Sequence, residues 1–201
     1  SLQSFLAYIK QRTNCAHALN AVGGPCTSYE LADRNNSAVA FCGYDKEILR
    51  KIKAMMATDY YHVSLSTDVE GVECAVAMKN AYALGVSMAV GMGENKYNPQ
   101  AALFGQSVRE MTKLIQLIGA DPDNIVFGAG DLYVTIYGGR TRLLGSLLGK
   151  GKTFDQAMSE LAGVTLESVS IAQRTTRAVK RLAERGVVSE SDFPLLMYIG
   201  S

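Results

Sequence analysis

From Asp68 to Gly91 the sequence keeps one texture without a break: DVEGVECAVAMKNAYALGVSMAVG. A segment this apolar around its circumference is a long helix buried on most sides, so the chain around it must supply a helical core. It is not a membrane span. The longest uncharged apolar run, Ala81 to Gly93, falls short of the ~20 residues that cross a bilayer. Within the helix stand Lys79 and Asn80, and the lysine shares its face with Val72, Ala75, Val76, Tyr82, Ala83 and Val86. None of these is a carboxylate. The ordinary explanation is a lysine that lays its stem over apolar surface to reach water; the rest of the chain favours a functional one.

The segment before residue 68 has a different period. Leu2, Phe5, Leu6 and Ile9 fall at helical spacing, followed by three short strand-like runs at 17–22, 37–42 and 60–65. Between the last two lies DKEILRKIKAMM, with Ile48, Leu49, Ile52 and Met55 on one face and Asp45 placed to cap it. Strand, helix, strand is the grammar of a βαβ unit in a mostly parallel sheet. After Thr67 strand signals nearly vanish. Asn98 and Pro99 fit the start of a helix whose core face is Phe104, Val108, Met111, Ile115 and Ile118, ended by Gly119. Thr153 and Gln156 form a capping box, and Thr165–Arg185 reads as a helix stopped by Gly186. The expected boundary therefore divides an α/β part, residues 1–67, from a helical part, residues 68–201. Overall the chain is mainly α.

Length and composition narrow the function. The chain has 201 residues, 48% hydrophobic and 19% charged, enough for a real core. A formal charge of +1 gives no basic field for general nucleic-acid binding. Cys15, Cys26, Cys42 and Cys74 form no CxxC pair, and with two histidines no metal site is expected. They read as reduced thiols of a cytoplasmic protein, and Ser1–Lys10 has no signal-peptide pattern. A glycine-rich dinucleotide turn is missing: Gly128-Ala129-Gly130-Asp131-Leu132-Tyr133 starts the GxGxxG pattern without its third glycine, and Gly91-Met92-Gly93 fails too.

Chemistry concentrates in GAGDLYVTIYGGRTR, residues 128–142. Asp131 and Thr135 are four apart and share a helical face. Tyr137-Gly138-Gly139 breaks that helix, and Arg140-Thr141-Arg142 opens the next. A helix start offers free N–H groups, glycines let a ligand approach, and a guanidinium forks onto phosphate oxygens. A lysine, an aspartate and a phosphate cradle are what reduction of a phosphorylated ketone requires: the lysine protonates the developing alkoxide and the cradle holds the inert end.

Three segments, GVECAVAMKNAYALGVSMAVGMG, AGDLYVTIYGGRTR and GGPCTSYELAD (23–33), resemble the NAD(P)-dependent glycerol-3-phosphate dehydrogenases, and the likeness runs from about Gly23 to Leu196. The resemblance implies the closing strands and helices of an α/β Rossmann domain, followed by an all-helical domain like that of 6-phosphogluconate dehydrogenase. It implies hydride transfer between NAD or NADP and dihydroxyacetone phosphate or sn-glycerol 3-phosphate, in glycerophospholipid and carbohydrate metabolism, by a homodimer. Carried over, Lys79 is the general acid and base. Asn80, Asp131 and Thr135 line the substrate, and Gly139, Arg140 and Thr141 hold its phosphate. Gly24 and Cys26 face the substrate, while Ser28, Arg140 and Ala162 face the cofactor. Thr141 stands where the family usually has asparagine, and Ala162 where it has an acid or amide. The glycine-rich motif and a second family lysine are expected ahead of Ser1, making this chain a portion of the enzyme. A dehydrogenase of another small polyol phosphate, or a non-catalytic helical dimerisation module, are the alternatives.

Overall fold

The computed structural model describes residues 4–13, 18–93, 97–138, 140–163 and 166–201. The described residues are mostly helical and contain ten α-helices, with one three-stranded sheet near the start. They form two compact units: residues 1–77 with 112–131, and residues 78–111 with 132–201. The expected division at 67/68 marks where the strands end and the long helix begins. The units instead divide within that helix and within two later ones.

The first unit opens with α1 (Phe5–Lys10), capped by the Ser4 hydroxyl accepting from Ala7 N. Strand β1 (Asn20–Gly23), the short α2 (Ser28–Ala32) and β2 (Ser37–Gly43) follow, then α3 (Lys46–Met56) and β3 (Tyr61–Ser66). The Asp45 carboxylate accepts from Glu47 N and Ile48 N and so caps α3 as its sequence predicts. Strands β2 and β3 pair in parallel around α3, so the βαβ unit is present. Its neighbour departs from the expected direction. Strand β1 pairs with β2 antiparallel, Val22 opposite Phe41, because the turn through Gly24 and the short α2 returns the chain beside β1 without a full crossover.

Central β2 is buried on both faces, and its alternation sorts the core. Ala40 and Cys42 pack with Leu6, Val69 and Val72, whereas Val39 and Phe41 pack with Leu49 and Val63. The long helix α4 (Val69–Met92) starts on Asp68, whose Oδ1 accepts from Gly71 N while Oδ2 accepts from Asn124 Nδ2 and Asp121 N.

The second unit takes residues 78–92 of α4, most of α5 (Tyr97–Leu117) and the end of α6 (Ile125–Gly138). It adds α7 (Arg140–Gly149), α8 (Phe154–Glu160), α9 (Glu167–Glu184) and α10 (Pro194–Ile199). Helix α5 starts at Tyr97, so Asn98 lies inside it, and Gly119 with φ of +75° follows its end. The Thr153–Gln156 capping box closes as expected, and Gly186 with φ of +70° follows α9. Thr165, the expected start of α9, is outside the described residues.

Glu110 is fully buried in α5 and accepts four hydrogen bonds. Oε1 takes them from Gln106 Nε2 (2.7 Å) and Leu195 N (2.8 Å), and Oε2 from Tyr82 Oη (3.1 Å) and Leu196 N (2.9 Å). One carboxylate thus joins α4, α5 and the open N–H groups at the start of α10. Glu110→Leu leaves those donors buried without an acceptor, and we expect urea unfolding to register a loss of at least ~3 kcal/mol. Tyr82→Phe removes one donor and should cost about 1 kcal/mol. A Glu110→Leu variant within 1 kcal/mol of the wild type, on the order of one ordinary hydrogen bond, would contradict this role.

Candidate functional site

The glycines that look like a broken dinucleotide motif lie inside α6, where each costs about 1 kcal/mol against alanine. Close packing explains them. A Cβ on Gly128 would stand 2.6 Å from the carbonyl oxygen of Ala75, so the backbones of α4 and α6 meet with no side chain between them. A Cβ on Gly130 would stand 2.9 Å from Cγ of Pro25, so the turn between β1 and α2 rests directly on α6. The next residue is Asp131, buried with 6% of its surface exposed. Thr135, one turn further along α6, is half-buried.

The same turn carries Gly24, with φ of +124°, and Cys26, a half-buried free thiol. At φ of +124° an L side chain is strained, and a Cβ there would also sit 3.2 Å from Val39 Cα. Gly24 and Cys26 are thereby brought beside the helix of Asp131 within the first unit. Ser28 is exposed at the first position of α2.

In the second unit Lys79 and Asn80 are half-buried on α4, between buried Met78 and the buried run 81–87. Arg140 is exposed at the first position of α7, and Thr141 beside it is buried, with 7% exposed. Arg142 donates from Nη1 to the Tyr137 carbonyl (3.1 Å), tying the end of α6 to the start of α7. Ala162 is exposed in the turn after α8. Gly139 lies outside the described residues. Lys79, Asp131 and Thr135 all take part in interactions with other groups.

The local electrostatics separate the thiols. Burial, with Asp68 adding to it, pushes Cys74 up to about 11; burial and the nearby Glu73 push Cys42 to about 11. Neither is a nucleophile near neutral pH. Burial also raises the Glu73 carboxyl, opposed by the bonds it accepts from Phe5 N and Leu6 N.

Among the described residues no group of three or more His, Cys, Asp or Glu is arranged to hold a metal ion. For a nicotinamide cofactor the fit is partial. The strand-to-helix turn of the βαβ unit ends on Asp45, whose carboxylate already occupies the N–H groups of α3 and would repel a pyrophosphate. The β1–α2 turn is small, passes through a positive φ at Gly24 and is uncapped by the Thr27 side chain. Among the described helices, none is long and apolar enough to cross a membrane.

Pro25, Gly128, Gly130 and Glu110 escape a sequence reading that looks for reactive groups. A usable signal exists for the glycines, since two of them two residues apart inside an apolar helix have to be offset by close packing.

Residues 68–200 match a family model described as the NAD-dependent glycerol-3-phosphate dehydrogenase C-terminus. The NADP(+)-dependent glycerol-3-phosphate dehydrogenase of Archaeoglobus fulgidus is 34% identical over 147 residues, which cover 70% of this chain and 44% of that protein. The glycerol-3-phosphate dehydrogenase [NAD(P)+] of Citrifermentans bemidjiense is 30% identical over 182 residues, 89% of this chain and 54% of that one. The chain spans about half the length of these relatives. The fold is shared with a solved glycerol-3-phosphate dehydrogenase of Plasmodium falciparum (TM-score 0.80, 20% identity, 98% of this chain and 56% of that one). One from Coxiella burnetii is also similar (TM-score 0.74, 23% identity, 90% and 54%).

Two glycine replacements inside helices should have opposite signs. Gly128→Ala meets backbone that cannot yield and should lower Tm by several degrees, the scale of a loss of about 1–3 kcal/mol. Gly105→Ala in α5 meets nothing within 4 Å and should gain about 0.5–1 kcal/mol. Thermal melts of both decide it. Equal, small shifts would mean that α4 and α6 are not held in backbone contact.

Proposed function

The chain belongs to the NAD-dependent glycerol-3-phosphate dehydrogenase family, and from that premise we propose that it forms the substrate-binding, proton-transferring portion of an enzyme that interconverts dihydroxyacetone phosphate and sn-glycerol 3-phosphate. A nicotinamide cofactor, NAD or NADP, supplies the hydride when bound. Lys79 donates a proton from Nζ to the C2 oxygen as C2 is reduced, and recovers one from solvent afterwards; in the oxidative direction it takes the hydroxyl proton. Asn80, Asp131 and Thr135 line the substrate. Arg140 and Thr141 hold the phosphate, together with Gly139.

The observation that carries the reading is the position of Lys79. It is a half-buried ammonium in the middle of α4, where Ala75, Met78 and the run 81–87 around it are buried. Arg140 supports the phosphate assignment because it stands exposed at the first turn of a ten-residue helix. There the dipole and open N–H groups favour an anion. Thr141 favours a second reading, a dehydrogenase of another small polyol phosphate. Its hydroxyl offers one donor where asparagine would offer two. A cytoplasmic homodimer belongs to the same proposal; the free thiols of Cys26, Cys42 and Cys74 support its reducing location, and the family supports the pairing.

Lys79→Met keeps the volume and removes the proton donor. Turnover of the full-length enzyme should fall at least ~10²-fold, and near-normal turnover would remove Lys79 from the mechanism. Arg140→Lys keeps charge but loses the fork. It should lower kcat/KM for dihydroxyacetone phosphate while barely changing the value for unphosphorylated dihydroxyacetone. An equal loss for both would place the phosphate elsewhere.

A further inference from the structure

Gly23, the last residue of β1, and the next two residues of the turn into α2 each press on a different element of the first unit. Gly23 backs onto α4, where a Cβ would stand 2.8 Å from Cγ1 of Val76. Gly24 backs onto β2, where a Cβ would meet Val39 Cα at 3.2 Å and the Ala38 carbonyl oxygen at 3.3 Å. Pro25 rests on α6, with Cγ 2.9 Å and Cδ 3.3 Å from where a Cβ on Gly130 would be. The proline ring also fixes its own φ, so the turn has little slack. The last contact adjoins residues of the proposed site on both sides: Cys26 follows Pro25 and Asp131 follows Gly130.

We infer that Gly130 is a positioning residue, and that the seat it gives the Pro25 ring holds the Gly24–Cys26 turn in register with Asp131. The inference rests on the dehydrogenase reading for its catalytic consequence, though the contact itself does not. Gly130 is bare because any side chain would lift the turn. The displacement would pass to the backbone of Cys26 on one side and of Asp131 on the other. Misplacement of orienting groups by about 1 Å is enough to cost on the order of 10²-fold in rate.

The geometry supplies its own rescue. Gly130→Ala puts a methyl 2.9 Å from Pro25 Cγ, whereas Pro25→Ala removes both close atoms and leaves a Cβ at 3.6 Å, an ordinary contact. In the full-length protein Gly130→Ala should lower kcat/KM for dihydroxyacetone phosphate at least ~10-fold when Pro25 is intact, and less than ~3-fold when Pro25→Ala is already present. A second readout is independent of turnover: the rate at which iodoacetamide alkylates Cys26, followed by peptide mass mapping. Cys42 and Cys74, held at about 11, are slow under the same conditions. Alkylation of Cys26 should change severalfold in Gly130→Ala and return toward the Pro25→Ala rate in the double variant. An equally large loss of activity from Gly130→Ala when Pro25→Ala is present overturns the inference, as does unaltered alkylation of Cys26 in Gly130→Ala. If the wild type fails to reduce dihydroxyacetone phosphate, the dehydrogenase reading falls, while the alkylation pattern still decides whether Gly130 seats the turn.

Discussion

Backbone contact between α4 and α6 is the constraint on which the rest of the first unit depends. At Gly128 and Ala75 nothing larger than hydrogen fits between the two helices. That contact fixes the stretch of α6 that carries Asp131 and gives the β1–α2 turn a surface to rest on. A side chain at the crossing would separate the backbones and move both. The glycines cost helix propensity, which close packing offsets through dispersion and excluded water. Because glycine also permits φ of +124° at Gly24, one residue type both builds the turn and seats it.

The second unit solves a similar problem with different chemistry. Helix α7 lies close to α4, where a Cβ on Gly91 would stand 2.5 Å from the Ser146 carbonyl oxygen and one on Gly145 would stand 2.9 Å from that of Leu84. The start of α7, with Arg140 and Thr141, is thus anchored through its own body to the helix that carries Lys79. Glu110 adds a polar tie, satisfying two backbone N–H groups of α10 and the Tyr82 hydroxyl from a fully buried position. A buried carboxylate is costly unless its oxygens are occupied; here each accepts two bonds.

Much of this architecture is legible in the amino acids. The Asp45 cap, the Thr153–Gln156 box and the length of α4 follow from local rules that tertiary context does not override. The antiparallel pairing of β1 is not legible, because side-chain alternation is the same for either strand direction. The short α2 hides inside a polar stretch, TSYELADRNN, that resembles a loop. Within the proposed site, Lys79 stands out because an ammonium conflicts with its apolar helix face, whereas Pro25 carries no polar side-chain atom and Gly130 is noticed only as part of a broken GxGxxG pattern. Glu110 reads in sequence as one more surface acid beside Arg109. Only the fold reveals that it faces Tyr82 and the start of α10.

A crystal structure of the full-length protein with sn-glycerol 3-phosphate bound tests the central claim most directly. The account predicts the phosphate on the first turn of α7, with Arg140 forked onto its oxygens, and Lys79 Nζ within ~3 Å of the C2 hydroxyl. A phosphate bound away from α7, or a C2 hydroxyl that faces a side chain other than Lys79, would contradict it.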